Sequence, residues 1–193
     1  MHDIEPFWKW RDQYIASEDA RSPFRGRKYS ELYFTKKIYN FLIHPQWDAF
    51  GSSTLYLKVI FVDYGEKTAL IELFGEWNDT LHNDIATLKR KFLEPMMDSG
   101  VSKFVFFCEN LLQFHAGDSD YYEEWAEELR DERGWAVLVN VNQHVEEEMH
   151  AGKLHFYLNF GENFNQINWR TQKPGMIVEA IGALLDGQIK RIK

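Results

Sequence analysis

The chain reads as an α/β domain: a mixed, mostly parallel sheet opened by a β-hairpin and covered by helices, with an aromatic-rich N-terminal extension. Three observations predict this. Two β-rich runs, Leu55 to Val62 and Thr68 to Phe74, are joined by the short Gly-containing stretch Asp63-Tyr64-Gly65-Glu66-Lys67, a hairpin signature. Beyond them, segments of helical spacing alternate with short β-rich runs, and each parallel crossover needs a helix to cover a sheet face. Before residue 54 the pattern is irregular, so residues 1–54 are expected to form an extension packed on a core of residues 55–193.

In the extension, Glu5 to Ala16 (EPFWKWRDQYIA) suits a short helix, with Pro6 in a first turn where a missing N–H costs nothing. Ser17 to Lys28 is a polar loop. Tyr29 to Ile43, rich in Tyr, Phe and Ile, is expected to supply one or two strands. His44-Pro45-Gln46-Trp47 breaks that pattern, because the residue before a proline is pushed out of helical geometry. Ile43 to Gly51 could serve as a recognition loop or lid, although Trp47 and Phe50 plugging a sheet end is the simpler account.

In the core, Asn78-Asp79 suits a helix cap. Leu81, Ile85, Leu88, Phe92 and Met96 then follow at helical spacing on one long helix, which Pro95 should kink or end near Lys91 to Glu94. Lys103 to Cys108 is a continuous apolar run, as in a buried parallel strand. Asp120 and Glu123 have capping-box spacing before a helix carrying Tyr121, Trp125 and Leu129, with Gly134 as its stop. Trp135 to Val141 is a further strand, His144 to His150 a short helix, and Leu154 to Phe160 one more strand. Pro174 opens the last helix, with Ile177, Ile181, Leu184 and Leu185 inward and Lys190, Arg191 and Lys193 at its C-terminal end, where cations suit the dipole.

At 193 residues the chain is long enough to bury roughly 70% of its unfolded surface without a disulfide or a metal. Cys108 is the only cysteine, which fits a reducing compartment. The first residues are acidic and aromatic rather than basic and apolar, unlike a signal peptide, and no apolar run approaches the ~20 residues of a membrane span. A cytoplasmic location and no membrane association are expected. The net charge of -8 argues against nucleic acid as a partner. The two basic stretches, Arg21 to Lys28 and Lys89-Arg90-Lys91, are short.

Ligands of open α/β sheets bind outside the carboxyl ends of parallel strands. Three strand-to-helix junctions should therefore share one edge: Gly75 to Asp79; Glu109-Asn110 through His115, Gly117, Asp118 and Ser119; and Asn140, Asn142, Gln143 and His144. The candidate binding residues are Trp77, Asn78, Asp79, His115, Asp118, Ser119, Asn142 and His144, with Trp77 as the apolar wall. The second junction is long for such a loop, and long loops are often functional. Ordinary roles compete with this reading. Asn78, Asp79, Asp118 and Asp120 suit caps, a lone His more often satisfies a carbonyl than catalyses, and Trp77 suits plain packing.

No cofactor is expected, because neither a G-x-G-x-x-G nor a P-loop pattern is present. No metal is expected either: His144 and His150 are six apart, not the i, i+4 of zinc helices, and a charged solvated helix accounts for Glu147 and Glu148. There is no nucleophile elbow, and Cys108 in its apolar run should be buried and inert.

The hairpin and repeated helix-strand units from Leu55 to about Phe160 resemble the STAS domain, the fold of anti-sigma-factor antagonists, most closely over Lys103 to Gly134. In that family the corresponding loop carries a serine that a partner kinase phosphorylates, and the surrounding surface docks the partner. The resemblance puts that role at Ser119. The family's Asp-Ser-Ser-Gly character is absent, since this chain reads Gly117-Asp118-Ser119-Asp120, and flanking acids oppose an added phosphate.

Two functions are weighed. One is a non-enzymatic regulatory or interaction module that binds a protein or small ligand at the strand ends. The other is a small enzyme using His115 or His144 as general base, oriented by Asp118 or Asp79. Self-association into a homo-oligomer through unpaired edge strands of the N-terminal segment is a further option.

Overall fold

A computed structural model describes the backbone of residues 4–192 and side chains as far as position 187. Its centre is a four-stranded sheet in the order β3-β4-β5-β6, formed by β3 (Leu55–Asp63), β4 (Thr68–Asn78), β5 (Lys103–His115) and β6 (Trp135–Val139). β3 and β4 pair antiparallel as the expected hairpin, while β4, β5 and β6 run parallel. Two short strands of the extension, β1 (Lys37–Ile38) and β2 (Phe41–Leu42), pair only with each other.

Alternation of side chains across the pleat gives the sheet two apolar faces. One face presents Leu57, Val59, Ile71, Phe104, Phe106, Cys108 and Leu138 to the helices that follow β4, β5 and β6. These are α1 (Asp79–His82), α2 (Asp84–Leu88), α3 (Glu94–Asp98), α4 (Asp120–Asp131) and α5 (Gln143–Ala151). The other face presents Ile60, Leu70, Val105, Phe107, Val137 and Val139 to Trp10 of the extension, to Phe164 and Trp169, and to Ile177 and Ile181 of α6 (Pro174–Ile192). Trp169 stacks on Phe107 with ring centroids 3.9 Å apart. The side chains of Lys190, Arg191 and Lys193 lie outside the described residues.

Several elements depart from expectation. Glu5 to Ala16 forms single turns rather than a helix. Its Phe7 N–H leaves the local backbone to donate to Glu72 on the sheet, and Phe7 and Trp10 pack against Trp169. The long helix after Asn78 is divided at Asn83, which is left-handed at φ 49°, and it passes through a π-helical turn at Lys89–Leu93. Pro95, in the first turn of α3, removes a backbone donor and crowds the preceding turn, which places the irregularity there. Leu81 lies before the break and is exposed, while Ile85, Leu88, Phe92 and Met96 are fully buried.

At α4 the buried residues are Tyr122, Trp125 and Leu129, with Tyr121 only half-buried, and the Asp120–Glu123 capping box is not made: Ser119 is the cap, without a side-chain bond. Arg133, at φ 54°, takes the left-handed position expected of Gly134. Gly134 is needed for a different reason: a Cβ there would lie 1.9 Å from the Ser102 carbonyl oxygen. Leu154 to Phe160 is not a strand. Lys153 turns the chain at φ 60° into the 3-10 turn Leu154–Phe156, and only Asn159 bridges to Val137 on β6. No helix among the described residues is long and apolar enough to cross a membrane.

Candidate functional site

Parallel pairing carries β4 and β5 side by side to their ends, where Asn78 lies opposite His115. β5 is much longer than its apolar run implies. Glu109 to His115, expected as a loop, continues the strand, with Leu111 and Phe114 buried against β4. The connection to α4 is therefore only residues 116–119, and its length no longer argues for function.

The extra length separates the three junctions. β6 stops opposite Phe107, so the junction after it lies along the flank of β5, not at its tip. There Asn142 Nδ2 donates to the carbonyls of Glu109 (3.3 Å) and Leu111 (3.0 Å), and His144 Nε2 lies 2.7 Å from the Leu112 carbonyl. Three strand residues separate that level from His115, about 10 Å along the strand. The first two junctions meet at the tip, where Thr80 Oγ1 donates to the Ala116 carbonyl at 2.9 Å. The third is a step below them.

At the tip, burial divides the candidates by role. Trp77 is 1% exposed, stacks with Tyr122, and donates from Nε1 to Asp79 at 2.9 Å; it packs the interior instead of walling an open patch. Asp79 is also buried. Its Oδ1 accepts the N–H of Ile85 at 2.8 Å, and its Oδ2 accepts the Tyr122 hydroxyl at 2.5 Å. Burial raises its carboxyl above the usual range, against the lowering effect of these three donors. Asn78 caps α1 by accepting from Leu81 N–H at 2.9 Å. These three side chains hold β4, α1, α2 and α4 together. Asp79 has no free oxygen with which to orient a histidine.

The outward-facing groups are His115, Asp118 and Ser119, together with Tyr39 from the extension; these approach Glu76, which is buried beneath them at 8% exposure. His115 is 45% exposed, and its Nε2 stands 3.7 Å from Glu76 Oε1. Tyr39 donates its hydroxyl to Glu76, and Asn78 Nδ2 donates to it at 2.7 Å. Burial opposes the Glu76 charge, but the bonds from Tyr39 and Asn78 and the nearby His115 and His82 outweigh it, so the carboxyl is held below its ordinary range. Tyr39 sits at φ 52°, a costly conformation for a bulky side chain. Asp118 accepts the Asp120 N–H at 3.3 Å, and Ser119 is half-buried at the start of α4.

Glu76 and Tyr39 were not among the sequence candidates. The signal in Glu76 was a charge at the end of an apolar strand; nothing local ties Tyr39 to it. A second polar cluster lies on the opposite sheet face. Arg170 reaches Glu72 and Glu109 at 2.8 Å each, Trp169 Nε1 and Asn140 Nδ2 each donate to Glu109 at 2.7 Å, and Asn110 donates to Glu72 at 3.2 Å. Burial raises Glu72 to about 7 despite the Phe7 N–H and Arg170, with Glu109 adding repulsion. Glu109, Asn110 and Asn140 belong to this cluster instead of a shared edge patch.

Lys89 of the short basic run is buried, with its ammonium 2.9 to 3.3 Å from Glu94, Glu124 and Glu128. Cys108 is fully buried, and burial pushes its thiol up.

No family model matches the chain, and no curated relative matches it. Among solved structures it is similar to the anti-sigma factor antagonist SpoIIAA in its unphosphorylated form, at 18% identity and a TM-score of 0.44, over 55% of this chain and 88% of that one. The Bacillus cell fate determinant SpoIIAA in its phosphorylated form gives 16% identity and a TM-score of 0.39, over 55% and 91%. The Thermotoga maritima protein TM1081 gives 16% identity and a TM-score of 0.40, over 66% and 89%. The likeness is one of fold, at low identity.

Proposed function

We propose that this chain is a non-enzymatic regulatory or interaction module that binds a protein or a small ligand at the tip of β4 and β5. The observation that carries the reading is the nearly buried Glu76 carboxylate, placed between the hydroxyl of the exposed Tyr39 and the ring of the exposed His115 at the strand end. Three separate stretches of chain converge there, and Tyr39 holds a left-handed backbone to do so. Such outliers persist where the surroundings impose them and cluster at binding sites. Asp118 and Ser119 extend the same surface. General base chemistry by His115 or His144 has weaker support. Both oxygens of Asp79 are engaged by buried donors, Asp118 Oδ1 accepts the Asp120 N–H, and His144 faces a main-chain carbonyl.

Affinity capture from a native extract tests this reading, with wild type compared to His115→Ala/Asp118→Ala. Glu66→Ala, in the hairpin loop at the opposite end of the sheet, serves as control. A bound species that is lost with the tip variant and kept with the control is expected. Equal capture by all three would refute the assignment of the tip.

A further inference from the structure

The geometry points to a second binding site, independent of the strand-end tip: the cleft of about 280 Å3 within the N-terminal extension binds a small doubly charged organic anion, a phosphate monoester or a dicarboxylate. Arg27, Lys28 and Lys36 line it, facing a single carboxylate, Asp48. That carboxylate is already engaged. Asp48 is fully buried; its Oδ1 accepts Arg27 Nη1 at 3.0 Å and the Tyr29 hydroxyl at 2.7 Å, and its Oδ2 lies 3.2 Å from the Lys58 ammonium. Its charge is shared between Arg27 and Lys58. Among the described residues, neither Lys28 nor Lys36 has a carboxylate within ion-pair distance.

A chain of net charge -8 repels anions at long range, so two lysines without a carboxylate partner in one concavity, Lys36 with only the Tyr56 ring 5.6 Å from its ammonium, call for a local explanation. Burial, and then repulsion from Arg27, hold the Lys36 ammonium below its ordinary range, which Asp48 only partly offsets. A bound oxyanion would relieve that repulsion and accept charge-assisted hydrogen bonds from both lysines. His44 lines the same cleft. Its Nδ1 accepts the Gln46 N–H at 3.3 Å, which leaves Nε2 as the nitrogen able to donate. Tyr29, Tyr33 and Pro45 supply apolar wall for the body of the ligand. The volume lies near the lower end of small-molecule pockets, which favours a compact dianion over a dinucleotide or a lipid.

Isothermal titration at low ionic strength tests this with phenyl phosphate, inorganic phosphate and succinate as probes. At least one should bind saturably below about 10 mM, and affinity should fall as salt is added. The ranking of the phosphates against succinate identifies the oxyanion. Lys28→Ala/Lys36→Ala, both changes at exposed side chains, should weaken binding by about tenfold or more, and Lys36→Arg should retain it. Near-UV circular dichroism unchanged from wild type shows that the fold is kept. No saturation with any probe, or binding that survives Lys28→Ala/Lys36→Ala, would overturn the site. His115→Ala/Asp118→Ala should leave these titrations unchanged, which keeps them separate from the test of the tip.

Discussion

The Tyr122 hydroxyl donates to the Asp79 carboxylate at 2.5 Å, linking residues 43 positions apart in a fully buried contact. The same carboxylate receives Trp77 Nε1 and the Ile85 N–H, so one side chain fastens the end of β4 to the helices above it. Removing a single partner leaves a buried charged acceptor short of a donor, which costs about 1–3 kcal/mol. Tyr122→Phe should lower unfolding stability by that amount. Asp79→Ala, which abandons three donors at once, should cost about 3–5 kcal/mol. Urea unfolding followed by tryptophan fluorescence measures both, and a neutral Asp79→Ala would contradict the structural role given to this residue.

Gly134 and Gly182 should respond oppositely to alanine. At Gly134 a Cβ meets the Ser102 main chain at 1.9 Å, so Gly134→Ala must shift the start of β6 away from β5, at a cost of about 2–4 kcal/mol. At Gly182, inside α6, the same Cβ meets open space, and Gly182→Ala should gain up to about 1 kcal/mol of helix propensity. Thermal unfolding of the two variants is a direct comparison.

The buried Glu72 should make stability fall with rising pH. Its carboxyl is raised to about 7 in the folded chain from an ordinary value of 4.5. The protonated form is therefore favoured by folding; its contribution is complete below about 4.5 and is lost as pH rises through about 7. Glu72→Gln stays neutral throughout. Relative to that variant, wild type should lose about 3 kcal/mol between pH 4.5 and 8. Parallel curves for the two proteins would show that Glu72 stays ionised, held by Arg170.

Tyr39→Phe keeps the ring but removes the donor to Glu76. The Glu76 carboxyl should then move up toward its usual range, measured by NMR titration of its side-chain carbon. Because a depressed carboxyl contributes stability above its unfolded value and loses it as pH falls, the variant should be less sensitive than wild type to acid. Loss of overall stability should be about 1–2 kcal/mol, as expected of a part-buried hydrogen bond to a carboxylate, while capture of a partner at the tip should weaken.

Elements with strong local periodicity were legible in the sequence; those set by distant contacts were not. The hairpin from Leu55, the strand starting at Lys103, α5 and the start of α6 at Pro174 formed as their patterns indicate. Leu154 to Phe160 failed because a short apolar run does not separate strand from helix; its buried pair, Leu154 and Leu158, lies four apart, a helical interval. Glu5 to Ala16 departs from its local pattern where contacts distant in sequence take over: Phe7 and Trp10 pack edge-on against Trp169, and the Phe7 N–H donates to Glu72, sixty-five residues away. The mixed polar sequence Glu109 to His115 hid a strand extension because its outer residues face other polar groups. That extension moved Asn142 and His144 away from His115. The tip itself was half legible: His115, Asp118 and Ser119 came from topology, but Tyr39 could not be joined to Glu76 without the folded extension.

Each flank of the four-stranded sheet is stopped by one residue. Asp48 exchanges both main-chain hydrogen bonds with Leu57 on β3, at 2.8 and 3.0 Å, and Asn159 does the equivalent on β6 through Leu138 N–H and the Ala136 carbonyl. On β6 that bridge sits at the middle of a five-residue strand, whereas on β3 Leu57 is the third of nine residues, so an incoming extended peptide would find one ladder occupied and the other blocked only near its start. Growth by strand addition, the usual route from a sheet protein to fibres or swapped pairs, is obstructed on the β6 flank and narrowed on the β3 flank.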